Sequence, residues 1–370
     1  MRIALLGSVS TSIPPSGQAA IEQLVYSQAL GFAAKNHKVS LFAPGTSTIH
    51  HAHIDLVDIG VGETLLGVGK KIDEDTIRIG SSYKLRLEIA QLGNVLEELI
   101  KRQNDYDIVL NNLRGESIVL PVLHYIKKPV VHVMHLPLFD ELVSQLEKYK
   151  TPLISISNAQ RKAYPHLNYI ATVYNGVDTG VFAYNDTPKN YFLYLGSIAR
   201  NKNPVAAIRV AKKAGVPLKI GGRIKDQGYY QTEIAPHING TDIQWVGEIS
   251  KSEIVTLYQE ARGFLFPTLW EEPFGLVLIE AMACGTPVVA FGNGAITEIV
   301  VDGKTGFVIE DNSEVRMVEA VKKINSIRRE DCRKHIEENF TIEKMVNGYE
   351  KALEKVLKNY SYERRGSTKS

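Results

Sequence analysis

Short runs rich in Val, Ile and Leu alternate with longer amphipathic stretches along the chain, and this alternation constrains its fold more than any other feature. RIALLG, KVSLFAP, YDIVLNN, KPVVHVMH, PLISIS and YIATVYNG each read as a buried strand, with helical patterns such as Glu22 to Asn36 and Lys84 to Arg102 between them. Strands separated by helix-length segments cannot be joined as hairpins, so they imply βαβ units and a parallel sheet. The rhythm restarts after residue 185 with YFLYLGS, PLKIGGR, IQWVGE, GFLFPT, TPVVAF and GFVIE, separated by helical patterns such as Pro204 to Ala214 and Lys251 to Ala261. The pattern predicts two doubly wound α/β domains, 1–174 and 175–349, joined through YNGVDTGVFAYNDTPKN, where Asn, Gly, Asp and Pro cluster without hydrophobic period. Glu314 to Tyr360 reads as helical with breaks near Asn339 and Gly348, and residues 350–370 are expected to cross back onto the first domain. The tail SYERRGSTKS has little apolar material and reads as frayed.

A chain of 370 residues with 44% hydrophobic and 23% charged residues has material for two cores. Its formal net charge of +2, with acids and bases mixed throughout, gives no footprint for duplex nucleic acid and no polybasic block for an anionic membrane. Cys284 and Cys332 stand in unrelated contexts without ligand spacing, which argues against disulfides and structural zinc and fits a reducing cytoplasm. MRIALLGSVS is too short an apolar run for a secretory signal, and no segment approaches about eighteen apolar residues. The expectation is a cytoplasmic protein with at most peripheral contact at the inner face of a membrane.

Three motif-like strings carry little. GNGAITE begins like a dinucleotide fingerprint but has Thr297 at the third glycine position, and DGKTG has Glu298 where a phosphate loop needs its first glycine. His50, His51 and His53 sit in an apparent loop, where histidines are ordinarily solvated.

The informative segment is FPTLWEEPFGLVLIEAMACGTPVVAF, in which a strand ends at Pro267, a loop holds Glu271 and Glu272, and a helix begins near Gly275. A helix amino terminus presents free N–H groups to phosphate oxygens. Glu272 and Glu280 could grip different parts of one anionic, sugar-bearing ligand. Acids at a helix start are also what the helix dipole favours on its own, so the residues alone leave both readings open.

EEPFGLVLIEAMACGTPVVAF resembles the donor-site motif of the family 4 retaining glycosyltransferases, which have the GT-B fold of two facing Rossmann-like domains. Ordered matches extend over nearly the whole chain: SIPPSG, NHKVSLFAPGTS, VMHLP, ISISNAQR, VYNGVD, GSIARNKNP, WVGE and FTIEKMVNGYEKAL. The resemblance implies that Glu272 meets the donor hexose, Glu280 the ribose hydroxyls, and the amides around Phe274, Gly275 and Leu276 the donor phosphates. It places Lys202 at the diphosphate, His135 near the reactive carbon of the sugar, and the loop holding Gly17, Gln18 and Glu22 under the donor phosphates and on the acceptor side. Gly222, and the backbone of Val246 and Gly247, are expected to approach the donor. Period-two alternation puts His132 inside its strand and His135 at the carboxyl end, where open α/β sheets place ligands.

Two departures from the family pattern stand out. Ser197 occupies the place of a usual arginine, leaving Arg200, three residues on, as the candidate to supply the missing cation. Ala19 and Ala20 stand where paired glycines are common. The reading is a retaining hexosyltransferase that uses a nucleoside diphosphate sugar, UDP-linked first and GDP-mannose second. Its acceptor would be a hydroxyl of a glycan, a lipid-linked sugar or a small molecule, as in polysaccharide biosynthesis. No cofactor and no metal are expected, because no paired aspartates of the DxD type stand at a strand end in a donor-binding context, and the DED of Asp73 and Asp75 lies in a polar stretch that reads as a solvated loop. The alternatives are a non-catalytic nucleotide-sugar-binding subunit and an epimerase or phosphorylase on the same fold.

Overall fold

The structure is a computed structural model that describes residues 1–15, 17, 19–62 and 74–367, with the side chains of 74–83, 251, 252 and 361–367 left outside the description. Gln18 and Asp73 therefore lie outside the described residues.

The chain divides into two compact units. The first contains Met1–Ile156, Arg161–Val173 and Met345–Ser370, and the second contains Ser157–Gln160 and Tyr174–Lys344. In the first unit, seven strands form one sheet: β1 (Arg2–Leu6), β2 (Lys38–Ala43), β3 (Ile54–Asp58), β4 (Ile108–Asn111), β5 (Val130–Met134), β6 (Leu153–Ser155) and β7 (Tyr169–Thr172), in the order β3-β2-β1-β4-β5-β6-β7. Each neighbouring pair is parallel. β1, β4, β5 and β6 are almost wholly buried, as expected of strands covered by helices on both faces.

In the second unit, β8 (Phe192–Leu195), β9 (Leu218–Gly221), β10 (Ile243–Gly247), β11 (Gly263–Phe266), β12 (Val288–Phe291) and β13 (Gly306–Ile309) form a parallel sheet in the order β10-β9-β8-β11-β12-β13. Strand order reverses beside β1 in one sheet and beside β8 in the other. Such reversals open a crevice at the carboxyl edge, where α/β sheets bind ligands. Each unit is thus a parallel-sheet, Rossmann-like domain.

Local chemistry sets the helix ends. The helix Pro204–Ala214 starts on a proline, whose missing N–H has no helical partner to lose, and stops at Gly215 with φ 69°. The helix Lys251–Glu260 is opened by a capping box between Ser250 and Glu253. The half-buried Arg329 guanidinium lies among carbonyls instead of carboxylates, donating to Asn185, Gln259, Ala261 and Cys284 at 2.7–3.2 Å. A fixed cation there satisfies the exposed carbonyls at the ends of Lys251–Glu260 and Leu276–Ala283 and opposes both dipoles.

Four expectations need correction. β3 adds an edge strand that the periodicity does not announce, because IDLVD is buried only at Val57. The helix expected from Lys84 begins at Glu74, so Asp75 lies on helical backbone and not in a solvated loop. The helix Ile342–Ser367 runs through Gly348 without a break: a Cβ there would stand 2.9 Å from Val173 Cγ1, so the glycine serves close packing. The same helix reaches Ser367, through most of the tail expected to fray.

The glycines after the strands fix the edge of the second sheet. Gly222 has φ 135°, and a Cβ on it would stand 2.0 Å from the Gly196 carbonyl oxygen. Gly196 donates to the Gly221 carbonyl at 3.1 Å and Gly222 to the Gly247 carbonyl at 2.9 Å, so the exits of β8, β9 and β10 are laced together through bare backbone. Gly222→Ala is expected to cost at least about 3 kcal/mol, because it combines a forbidden φ with a backbone clash. Denaturant unfolding of the full chain measures it, and a loss below about 0.5 kcal/mol would show that the edge yields.

Candidate functional site

In the second unit, the loops leaving β8 and β11 meet. The Thr268 hydroxyl and the Leu269 N–H both donate to the Asn201 carbonyl, at 3.2 and 2.9 Å. The buried Tyr194 hydroxyl donates to the carbonyls of Ser197 and Lys202, at 3.4 and 3.3 Å. With both loops anchored, Lys202 Nζ lies 2.5 Å from Glu272 Oε2. The Trp270 indole N–H donates to the same oxygen at 2.8 Å. The ammonium stands 4.5 Å from the Trp270 ring centroid and 5.8 Å from that of Phe266. Side-chain exposures of 21% for Lys202 and 12% for Glu272 leave the pair open to a ligand but shielded enough for its charges to matter.

Glu272 is held by its backbone as well. Its carbonyl accepts from Ala295 N–H at 2.9 Å, and a Cβ on Gly294 would stand 2.4 Å from its N and O atoms. The loop turns at Gly275, φ 98°, directly into the helix Leu276–Ala283. Among the described residues, no hydrogen bond engages the N–H groups of Phe274, Gly275 and Leu276. The Phe274 side chain is buried against Tyr174 and Phe340, which anchors the turn and leaves its backbone forward. One turn further, Glu280 accepts from the Tyr258 hydroxyl at 3.1 Å. Burial and the neighbouring Glu280 charge push the Tyr258 phenol far above its ordinary pKa, so it remains a donor.

Arg200 is placed elsewhere. Its guanidinium lies over the Tyr229 ring, 4.9 Å from the centroid, and 3.9 Å from Asp226 Oδ2. Val246 and Gly247 are half-buried at the end of β10, with Gly247 at φ 81°.

The first unit assembles a second polar cluster at the carboxyl edge of its sheet. His132 is fully buried within β5, and its Nδ1 accepts from Asn111 Nδ2 at 3.0 Å. His135 is the first residue beyond the strand, and Asn112 Oδ1 lies 2.8 Å from its Nε2. An oxygen acceptor there requires the proton on Nε2, which leaves Nδ1 as a lone pair with no partner among the described residues. Burial, and for His135 the Arg114 charge as well, lowers both imidazoles to about 3, so they are neutral at physiological pH. Glu22 is fully buried, its Oε2 3.4 Å from Arg114 Nη2, so its carboxylate touches the guanidinium and not the surface. Gly17 is exposed. Ala19 has φ −132°, an ordinary extended conformation in which an alanine is unstrained. Asn112, Arg114 and Trp270 are not singled out by sequence reasoning. Trp270 carried a signal there, as an aromatic directly before a paired-acid loop.

Residues 183–341 match the family model described as glycosyl transferases group 1. Proteins similar to this chain include an uncharacterized glycosyltransferase of Methanocaldococcus jannaschii, 29% identical over 51% of this chain and 54% of the relative. Another is a D-inositol 3-phosphate glycosyltransferase of Mycolicibacterium smegmatis, 30% identical over 46% of this chain and 42% of the relative. The chain spans about half the length of the curated relatives it matches. Solved structures share the fold over nearly all of both chains. A glycosyltransferase involved in avilamycin A biosynthesis has TM-score 0.70 and 18% identity, covering 96% of this chain and 98% of its own. An Anabaena protein in complex with UDP and glucose has TM-score 0.69 and 16% identity, covering 96% of this chain and 99% of its own. Among the described residues, no helix is long and apolar enough to cross a membrane.

The buried His132 makes a pH prediction. Its folded pKa of about 3 lies below the ordinary 6.5, so the unfolded chain binds a proton between those values and the folded chain does not. Stability is therefore lost as pH falls below 6.5. His132→Leu removes this term, and its stability relative to wild type is expected to improve by about 2 kcal/mol between pH 6.5 and pH 5. Paired denaturation curves at the two pH values check it, and a pH-independent difference would show that His132 is already protonated inside the sheet.

Proposed function

We propose that the chain is a retaining glycosyltransferase that moves a hexose from a nucleoside diphosphate sugar, UDP-linked in preference to GDP-linked, to an acceptor hydroxyl. The observation that carries this reading is the meeting, at one sheet edge, of the Lys202 ammonium, the Glu272 carboxylate and the unengaged N–H groups at Gly275. A diphosphate needs a cation and amide donors, and a sugar needs a carboxylate that accepts hydroxyl hydrogen bonds. Glu280, held by Tyr258, is positioned one helical turn along for the ribose hydroxyls.

The C1–O bond to the diphosphate breaks as the acceptor oxygen approaches the same face of the sugar, and the acceptor proton passes to the departing phosphate oxygen. Negative charge grows on the leaving group. Lys202 and the helix terminus stabilise that charge more than they stabilise the intact donor, which is what lowers the barrier. In the first unit, neutral His135, with its Nε2 proton held by Asn112, keeps an Nδ1 lone pair that can accept from a hydroxyl. The proposal includes no metal, with the cation and the helix dipole in its place.

Incubation with a panel of nucleotide sugars, reading free nucleotide, tests the reading, and release from none of them would overturn it. Glu272→Gln is expected to lower turnover by about 10²-fold, as when a transition-state contact is lost. Glu280→Gln is expected mainly to raise the donor KM, and equal small effects from both would remove the assignment. Activity is expected to persist in excess chelator, whereas loss in chelator with recovery on magnesium or manganese would overturn the metal-free mechanism.

A further inference from the structure

We infer that Trp270 is a positioning residue for this reaction, fixing the one oxygen that Glu272 gives to Lys202 so that its other oxygen faces the sugar. The inference rests on the donor-site reading above. Glu272 Oε2 takes two donors, Lys202 Nζ at 2.5 Å and Trp270 Nε1 at 2.8 Å, whereas Oε1 makes no hydrogen bond among the described residues. Two donors converging on one oxygen fix the plane of the carboxylate, and the indole is a suitable second donor because its N–H cannot rotate away or accept in return. A Lys–Glu pair alone joins two flexible chains through many rotamers, and such pairs hold geometry poorly.

The same ring acts on the lysine. Its face lies 4.5 Å from the ammonium, with Phe266 at 5.8 Å, so aromatic surface replaces water on one side of the charge and leaves the remaining N–H donors on the other. Trp270 is half-buried and follows the Leu269 N–H bond to Asn201, so the backbone that carries it is tied to the lysine loop. One side chain thus sets the mutual geometry of the cation meant for the diphosphate and the carboxylate meant for the sugar. Its two contacts are chemically separable, which makes the role testable.

The chain has two tryptophans, so a 15N-labelled sample shows two indole N–H resonances, and Trp270→Phe identifies which one belongs to Trp270. In Glu272→Ala without any ligand, the Trp270 resonance is expected to move upfield while that of Trp245 stays in place. An unmoved Trp270 resonance would overturn the contact, and this arm holds whether or not the protein turns over a nucleotide sugar. Trp270→Phe keeps an aromatic face over Lys202 and loses only the N–H. It is expected to lower turnover of UDP-glucose, or of GDP-mannose if that is the donor released, by about tenfold, while the Kd for UDP or GDP changes by less than about twofold. Trp270→Leu, which also loses the face, is expected to weaken binding of the free nucleoside diphosphate by about fivefold more. Wild-type turnover in Trp270→Phe, or a parallel loss of nucleotide affinity and turnover, would overturn the positioning role in favour of plain packing. Failure of the wild-type protein to release any nucleotide would instead count against the donor-site reading.

Discussion

A parallel ladder obliges every connection to cross from one end of the sheet to the other, so all the loops that follow strands gather along one edge. In each unit of this chain, the strand order reverses at that edge beside the first strand, and the loops on either side of the reversal part. Everything chemically interesting hangs from those exits: Lys202 after β8, Glu272 after β11, Asn112 after β4 and His135 after β5. The backbone itself supplies part of the second edge, since Gly222 lies too close to the Gly196 carbonyl to carry a side chain and the exits of β8, β9 and β10 bond through amides and carbonyls.

On that scaffold, the electrostatics are arranged by shielding more than by number of charges. Lys202 and Glu272 neutralise each other in a site that is only partly wet, and each keeps hydrogen-bonding capacity to spare. Neither carries a full water shell, which lessens the desolvation cost that usually opposes ion binding in a cleft. In the first unit the logic is reversed. His132 and His135 are held neutral by burial, and the Arg114 charge beside His135 is balanced by the buried Glu22, so the His135 Nδ1 lone pair stands there without net positive charge.

The strands expected from the periodicity are all present, because buried parallel strands are continuous apolar runs bounded by Gly, Pro and Asn. β3 escapes because an edge strand buries only one residue and leaves no such run. The long helix from Glu74 begins before its amphipathic pattern does, in residues whose polarity resembles a loop. Gly348 shows the opposite failure: a residue that breaks helices by propensity is kept because its missing side chain admits Val173. Within the candidate site, the acids, the lysine and the histidine are legible from motif and position. Trp270 and Asn112 are not, since what matters is the atom each points at another side chain, and one-dimensional spacing does not encode that direction.

Ser197 and Arg200 stand on one loop in different surroundings. The residue that would have carried the cation instead offers its carbonyl to Tyr194, while Arg200 on the same loop lies over Tyr229 and near Asp226. The Arg200 side chain remains 68% exposed and its approach to Asp226 is a long, solvated one. Lys202 is thus the cation that this loop holds at Glu272. The turn that carries Glu272 into the helix is constrained on three sides, by Gly275 in a left-handed conformation, by Phe274 packed between two aromatic rings, and by Gly294 pressed against the Glu272 backbone.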